Sequence, residues 1–154
     1  MTNIAVVGAA GRMGKVLIEA VSANERATLV AASVRPGGVG AGSVDAGDLA
    51  GVGSLDVTLV DDLASVIEQC DVVIDFTTPE ATHKHLEICA RANKKIVVGT
   101  TGFSSEQLKD LQAFGESQAL VFAPNFSIGV NAAFHLLGVA AEILGGDVEI
   151  DITE

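Results

Sequence analysis

Three glycines follow the first apolar run, at a spacing that suits the binding of a dinucleotide's phosphates. They are Gly8, Gly11 and Gly14 in "GAAGRMG", with Arg12 inside the turn and Lys15 after it. Between a strand and a helix, the first glycine allows a tight exit from the strand, the second lets backbone N–H groups approach a pyrophosphate, and the third allows close helix packing. The positive partial charge of the helix N-terminus adds attraction for phosphate. The alternative interpretation is a tight turn without a ligand.

The end of the second predicted strand indicates which dinucleotide would bind. Ala9 stands where the usual G-x-G-x-x-G pattern has its first glycine, so the fingerprint is not standard. About 20 residues further on, where an acidic residue would bind the adenosine ribose, the sequence has Val34 followed by Arg35. A guanidinium suits a 2′-phosphate better than a free diol, which predicts a preference for NADPH, with NADH possible. An exposed surface arginine is the alternative.

The acidic and imidazole side chains offer no clear acid–base catalyst. His83 and His85 lie two residues apart on a predicted helix, so they point in different directions and are interpreted as surface or helix-end histidines. His135 is interpreted as a packed or linker-facing residue. Asp75, at a strand end, is interpreted as a partner of backbone N–H groups rather than a general base. We therefore expect no catalytic residue and no metal site within this chain.

Short β-branched runs alternate with longer segments of helical periodicity, which is typical of βαβ units and a parallel sheet. The prediction is an α/β fold with a doubly wound sheet. Pro79 suits the first turn of a helix, and Ser104 with Gln107 forms a capping box. The predicted strands lie near Asn3–Gly8, Leu29–Val34, Thr58–Val60, Asp71–Phe76, Lys95–Gly99 and Leu120–Ala123. The predicted helices lie near Gly11–Ala23, Leu63–Gln69, Pro79–Ala92, Ser104–Gly115 and Ile128–Leu144.

Two further segments carry their own predictions. The glycine-rich stretch from Arg35 to Asp56 lacks periodicity and is predicted to form a surface loop. In "GGDVEIDITE", Val148, Ile150 and Ile152 alternate with acidic residues, which predicts a strand with one apolar face and free edges. Such edges favour self-association, so we expect an oligomer. The apolar segment from Ile128 to Leu144 is interrupted by polar residues and is interpreted as a buried helix rather than a membrane span.

Composition excludes several classes of partner. The 154 residues include 49% hydrophobic and 4% aromatic residues, so Val, Ile, Leu and Ala must form the core. The formal net charge of −11 disfavours binding to nucleic acid or an anionic membrane, although a helix N-terminus still attracts a small anion. Cys70 and Cys89 lack metal-ligand spacing and are interpreted as reduced core thiols. With no predicted signal peptide after Met1, a cytoplasmic location is expected.

Five blocks of the sequence, in one order, resemble the 4-hydroxy-tetrahydrodipicolinate reductase family, long called dihydrodipicolinate reductases. The blocks are "GAAGRMG", "DVVIDFTTPEAT", "VVGTTGF", "APNFSIGVN" and "DVEIDITE". The resemblance implies NAD(P)H-dependent reduction of a cyclic dicarboxylate in lysine and diaminopimelate biosynthesis. It also implies a Rossmann-like nucleotide-binding domain over residues 1–126. Residues 127–154 would be the hinge helix and first strand of an α+β substrate domain.

The same resemblance implies which residues contact the cofactor. Thr101 is also placed to touch a substrate carboxylate. The residues around the pyrophosphate would be Gly8, Ala9, Ala10, Gly11, Arg12 and Met13, and those at the ribose Val34 and Arg35. Phe76 and Thr77 would line the cleft, with Gly99, Thr100 and Thr101 on one side of the nicotinamide and Ala123, Pro124, Asn125 and Phe126 on the other.

The family's remaining catalytic parts are expected beyond this sequence. By resemblance, a His-rich segment with a lysine and a Gly-Thr carboxylate clamp follow the strand that ends at Glu154. The chain is therefore expected to bind nucleotide and to turn over little substrate by itself, with the family's tetramer implying a homo-oligomer. The alternatives are a related homoserine- or sugar-dehydrogenase type of enzyme, which has no reason to carry the later blocks, and a stand-alone nucleotide-binding or interaction module.

Overall fold

The computed structural model describes residues 1–149 and 151 of the chain. The chain divides into two units, Met1–Phe122 and Ala123–Glu154. The first unit is an α/β layer structure, and the described part of the second is a helix followed by a short 3₁₀ turn. The segment 123–126, which the resemblance places in the nucleotide-binding domain, belongs to the second unit. The assignment of residues 127–154 to a substrate domain stays a prediction.

The described residues of the first unit form a five-stranded sheet in the order β2-β1-β3-β4-β5, with every neighbouring pair parallel. The order reverses at β1, so the connections leave in both directions from the centre of the sheet. The predicted doubly wound α/β fold is confirmed. The strands are β1 (Thr2–Val7), β2 (Ala27–Ser33), β3 (Val72–Asp75), β4 (Lys95–Val98) and β5 (Leu120–Phe122).

Helices connect these strands, and local capping signals set where they begin. Pro79 lies in the first turn of its helix, after Thr78 as N-cap. Ser104 and Gln107 form the predicted capping box, with Gln107 N donating to Ser104 Oγ over 3.2 Å and Ser104 N to Gln107 Oε1 over 2.9 Å. The helices of this unit are α1 (Arg12–Ser22), α2 (Ala46–Ala50), α3 (Pro79–Arg91) and α4 (Ser105–Ser117).

The sheet has a separate apolar core on each face. In β1, Ala5 and Val7 join one buried cluster, and Ile4 and Val6 join the other, as strand alternation requires. The first cluster packs α3 and α4 onto the sheet, and the second packs α1. This two-sided burial explains why the strands are almost continuously apolar.

The two cysteines lie in the cluster beneath α3 and α4. Cys70 and Cys89 are free thiols and are buried. Burial raises the pKa of the Cys89 thiol to about 12 and also raises the pKa of the Cys70 thiol. Both side chains therefore act as small apolar core residues, which agrees with the interpretation from sequence.

The predicted third strand, Thr58–Val60, is reduced to a single parallel bridge beside β2. Val34 N donates to Val60 O over 2.8 Å, and Val60 N to Ala32 O over 3.0 Å. The neighbouring Leu59 instead pairs with the glycine-rich segment, where its N–H donates to Val44 O over 2.9 Å. The prediction of a strand was wrong because the backbone N–H and C=O groups of this short run bond alternately to β2 and to the glycine-rich segment, so no continuous ladder forms with either.

Two further local predictions need correction. Leu63–Gln69 forms two 3₁₀ turns, Leu63–Ser65 and Ile67–Gln69, because so short a segment gains too little to nucleate a regular helix. The glycine-rich stretch from Arg35 to Asp56 is not loop throughout, since it contains α2. Asp45 organises it by accepting backbone N–H bonds from Gly47, Asp48, Leu55 and Val57 at 2.8–3.2 Å.

The second unit contains α5 (Ile128–Leu144), none of whose residues is buried. The prediction of a buried helix was wrong, because the described part of this unit, one helix and a short turn, provides no second layer against which an apolar face could pack. Within the described residues, no helix is both long and apolar enough to cross a bilayer. The strand predicted for Val148, Ile150 and Ile152 depends on Ile150 and Ile152, which lie outside the described residues.

The four bonds to Asp45 generate a pH prediction. The backbone N–H of Leu55, followed by those of Val57, Asp48 and Gly47, lowers the pKa of this carboxyl below its ordinary value against a smaller opposing effect of burial. Since the folded pKa lies below the unfolded one, the stabilisation is present above about pH 4 and is lost as the pH falls through the folded pKa. Urea unfolding should therefore show Asp45→Asn less stable than wild type at about pH 7, with the difference shrinking towards about pH 3.

Asp48→Asn is the matched control, because Asp48 lies three residues away in the same segment and its carboxylate accepts none of these bonds. It removes the same charge but leaves the two carboxylate oxygens of Asp45, which accept all four bonds, in place. If the difference in free energy of unfolding between wild type and Asp45→Asn stayed constant over this pH range, the stabilising role given to the ionised Asp45 carboxylate would be contradicted.

Candidate functional site

The glycine turn joins β1 to α1 at the carboxyl edge of the sheet. Gly8 adopts a left-handed conformation with φ of +67°, and a β-carbon on it would lie 2.6 Å from Thr77 Cγ2. Ala9 N donates to Ser33 O over 2.9 Å, which ties the turn to the end of β2. Gly11 N donates to Gly8 O over 2.9 Å and closes the turn. The sequence-predicted role of Gly8, a sharp exit from the strand, therefore has a geometric reason.

The third glycine allows α1 to rest directly on the turn. A β-carbon on Gly14 would overlap Gly8 O and lie 2.7 Å from both Cα and O of Ala9. Both neighbours are backbone, so neither could move aside cheaply. Close helix-to-strand packing, predicted from sequence for Gly14, is what the structure shows.

The N-terminus of α1 offers backbone N–H groups without a side-chain cap. Gly11 is the N-cap and supplies no side-chain acceptor. The first turn of α1 carries no acidic side chain, and Arg12 and Met13 are exposed. Free helix N-terminal amides, together with a nearby cation and no competing carboxylate in that turn, form a site suited to a phosphate group.

A cleft of about 500 Å³ extends beside this turn. Its lining brings together four of the sequence-predicted residues, Gly8, Val34, Arg35 and Thr77. Val34 is buried in the core beneath the cleft, whereas Arg35 is exposed. The cleft therefore extends from the glycine turn to the end of β2, where a dinucleotide's adenosine ribose binds in this class of fold.

The charged side chains that line the cleft differ in their hydrogen-bond and ion-pair partners. Asp61 accepts from Gly37 N over 3.2 Å, and Asp62 accepts from Ala64 N over 2.9 Å. Arg35 and Lys84 also line the cleft, and neither forms an ion pair within residues 1–149. Asp61 and Asp62 are thus engaged by backbone amides, and Glu80 also lines the cleft, so Arg35 and Lys84 share it with three carboxylates.

Asp75, at the end of β3, is fully buried and organises the neighbouring loops. Its Oδ1 accepts from Thr77 N over 3.0 Å and from Thr77 Oγ1 over 2.6 Å. Its Oδ2 lies 2.8 Å from His85 Nδ1. The interpretation of Asp75 as a partner of a backbone N–H is confirmed, but its histidine and hydroxyl partners could not be predicted from local sequence.

The loop after β4 joins the same network. Thr100 is buried, accepts from Thr77 N over 3.0 Å and lies 2.8 Å from Thr82 Oγ1. Phe76 occupies the space that a β-carbon on Gly99 would need. Thr101 is exposed. Phe76, Thr77, Gly99 and Thr100 are therefore held together behind the sheet edge, while contacts with nicotinamide stay a prediction.

The histidines differ more than the sequence indicated. His83 is half exposed and lies 3.5 Å from both Glu87 and Asp110, as a surface histidine would. The surface interpretation was wrong for His85, whose side chain is only 17% exposed and bonds to Asp75. The signal was the helical spacing of His85 from buried Thr82, three residues before it, and buried Cys89, four residues after it, which turns this side of α3 towards the sheet.

The segment predicted to form the second nicotinamide wall begins the second unit. Asn125 Oδ1 accepts from Ser127 N over 2.7 Å, and Asn125 O accepts from Asn131 Nδ2 over 3.1 Å. These bonds position the segment before α5. For Ala123, Pro124, Asn125 and Phe126, contact with a cofactor stays a prediction. Within the part of the chain that the structure describes, there is no cluster of three side chains suited to a metal ion.

The doubly wound sheet and the glycine turn at its carboxyl edge define a Rossmann-like α/β domain. Residues 2–126 match the family described as "Dihydrodipicolinate reductase, N-terminus". The chain belongs to this family, and the resemblance noted from the five sequence blocks is confirmed.

Individual relatives agree with this membership. The chain is 50% identical over its whole length to a 4-hydroxy-tetrahydrodipicolinate reductase of Hahella chejuensis and 46% identical to one of Psychrobacter arcticus. It spans 57% and 55% of those two proteins. A dipicolinate-bound dihydrodipicolinate reductase from Paenisporosarcina sp. TG-14 is similar over 92% of this chain and 54% of its own, with 32% identity and a TM-score of 0.71.

The close packing at Gly14 generates a stability prediction. Gly14→Ala should lower the free energy of unfolding by about 1–3 kcal/mol, because α1 must move away from the turn. Gly115→Ala in α4 is the matched control, since its nearest neighbour would lie at an ordinary 3.5 Å and alanine favours helix by roughly 0.5–1 kcal/mol. Chemical denaturation measures both. A Gly14→Ala chain as stable as Gly115→Ala would contradict the packing argument.

Proposed function

We propose that this chain binds a nicotinamide dinucleotide at the carboxyl edge of its sheet. The observation that carries the proposal is the uncapped N-terminus of α1 beside the glycine turn, with the cleft extending from Gly8 to Arg35. Pyrophosphate at the turn and adenosine in the cleft is the arrangement that such a sheet edge favours. In this proposal Gly8 to Met13 hold the diphosphate.

We propose further that the whole protein catalyses the NAD(P)H-dependent reduction of 4-hydroxy-tetrahydrodipicolinate, the activity in the name of its relatives. When bound, the nicotinamide supplies the hydride. This chain's own contribution is to bind and orient that ring through the segments after β4 and β5. The dipicolinate in the related structure supports a dicarboxylate substrate, for which Thr101 offers an exposed hydroxyl donor.

The second half of the proposal concerns which nucleotide is preferred. Val34 has no acceptor for the ribose diol, and its side chain is buried. Arg35 is exposed at the cleft with no carboxylate partner within the described residues. A guanidinium can donate two bonds to a 2′-phosphate, and so this pair favours NADPH over NADH.

Location and assembly complete the proposal. Two buried, free thiols suit a reducing compartment, and we infer the cytoplasm. We also infer a homo-oligomer, because Ile128, Phe134 and Ile143 on α5 are largely exposed apolar side chains. No partnership with nucleic acid or a membrane is proposed, given the net charge of −11. An interaction module without nucleotide binding remains the competing function, and nucleotide titration separates the two.

The nucleotide preference has a direct test. Titration of the chain should show tighter binding of NADPH than of NADH, and Arg35→Gln should reduce that preference by about tenfold, equivalent to roughly 1.4 kcal/mol. Arg26→Gln is the matched control, because Arg26 is exposed and lies between α1 and β2, before the amino end of that strand. Tighter binding of NADH at physiological salt would refute the preference, and no binding of either nucleotide would favour the interaction module.

The catalytic expectation is tested by turnover. With NADPH and 4-hydroxy-tetrahydrodipicolinate, the 154-residue chain should consume little or no nucleotide, because it spans only 57% and 55% of the two reductases that it resembles and its described histidines show no proton-donating arrangement. Loss of NADPH absorbance measures this, with a full-length relative as the positive control. Substantial turnover by the chain alone would show that a catalytic group lies within it.

A further inference from the structure

His85 connects a buried carboxylate with the cleft. Its Nδ1 lies 2.8 Å from Oδ2 of Asp75, which is fully buried, and its own side chain is 17% exposed. The same side chain lines the cleft that also contains Gly8 and Arg35. His85 lies outside the five sequence blocks, and the resemblance assigns it no role.

The hydrogen bonds around Asp75 determine which ring nitrogen is available. Oδ1 already accepts the N–H and O–H of Thr77, whereas Oδ2 bonds only to His85 among the described residues. In the tautomer that carries its proton on Nδ1, the ring donates that N–H to Asp75 Oδ2 and presents Nε2 as an acceptor. Within residues 1–149, no protein group hydrogen bonds with Nε2. A carboxylate that orients an imidazole in this way fixes both its tautomer and its direction.

The position of the ring in the cleft indicates what it would meet. Thr77, which bonds to the same carboxylate, is the side chain next to Gly8 in the turn. Arg35, which follows β2, lines the same cleft, as do the apolar side chains of Leu63 and Ile88. A cleft that combines apolar side chains, the proposed phosphate-binding turn and an arginine at the end of β2 suits adenosine.

We propose that His85 is a nucleotide-binding residue whose Nε2 accepts a hydrogen bond from the adenosine half of the dinucleotide, with Asp75 as its positioning residue. The proposal rests on the proposed nucleotide binding. The adenosine of both NADH and NADPH carries two such donors, the amino group of the base and the ribose 3′-hydroxyl, and either matches an acceptor. Phosphate without protons offers none, so the contact is independent of the 2′-phosphate.

Two substitutions separate the two nitrogens of the ring. In His85→Asn, the short amide can still reach Asp75 but leaves nothing at the Nε2 position. In His85→Gln, the longer amide reaches the Nε2 position but does not reproduce the Nδ1 bond. His83→Asn is the matched control on the same helix, because His83 is half exposed, contacts Glu87 and Asp110, and is not among the residues that line the cleft.

The measurements are dissociation constants for NADPH, NADH, 5′-AMP and nicotinamide mononucleotide, together with thermal unfolding of each variant. His85→Asn should weaken NADPH, NADH and AMP binding alike, by about three- to tenfold for one lost hydrogen bond, and leave nicotinamide mononucleotide unchanged. His85→Gln should bind nucleotide better than His85→Asn but unfold at a lower temperature. Inosine 5′-monophosphate distinguishes the two donors, because it lacks the amino group of the base but keeps the ribose. A contact with the amino group is therefore lost with this nucleotide, whereas a ribose contact is retained.

The outcomes that overturn the proposal differ from those that overturn nucleotide binding. If the wild-type chain binds NADPH and His85→Asn binds it equally well, His85 only satisfies Asp75 and the proposal fails by itself. The proposal also fails if only the binding of nicotinamide mononucleotide is weakened. It fails likewise if the loss of nucleotide affinity in the two variants simply parallels their loss of thermal stability. If the wild-type chain binds none of the nucleotides, the proposed function fails and this proposal fails with it.

Discussion

The close approach of α1 to the end of β1 is the contact on which the first unit's functional geometry depends. Without a β-carbon on Gly14, the backbone of α1 rests against Gly8 and Ala9. That contact aims the helix N-terminus at the edge of the sheet, and the left-handed conformation of Gly8 makes the chain turn sharply enough to reach it. A helix held even slightly further away would leave its amide groups out of line with the cleft.

A second constraint, the buried carboxylate of Asp75, holds the neighbouring strand ends. Removing a charge from water is costly, and the cost is offset here by hydrogen bonds from Thr77 and His85. Thr100 joins the same group, so hydrogen bonds connect the loops after β3 and β4 with each other and with α3. The carboxylate thus fixes the shape of the sheet edge without reaching solvent itself.

Family membership and local chemistry describe the same region from different directions. The chain belongs to the dihydrodipicolinate reductase family through a match over residues 2–126. That match covers the glycine turn, the cleft and the segments after each strand of the sheet. The acidic chain, with a net charge of −11, has Arg35 and Lys84 beside this cleft. The proposed attraction for a nucleotide's phosphates therefore rests on these local side chains and on the N-terminus of α1, and not on the total charge.

The sequence by itself determined the features that depend on neighbours in the chain. These include the glycine turn, the parallel α/β order, the capping box at Ser104 and the first-turn Pro79, because helix caps, tight turns and apolar periodicity are local. Only the tertiary structure decided that Val60 pairs with β2 through a single bridge. It also decided that His85 faces Asp75 instead of solvent. Those outcomes depend on contacts between separate elements, whose distances no local pattern encodes.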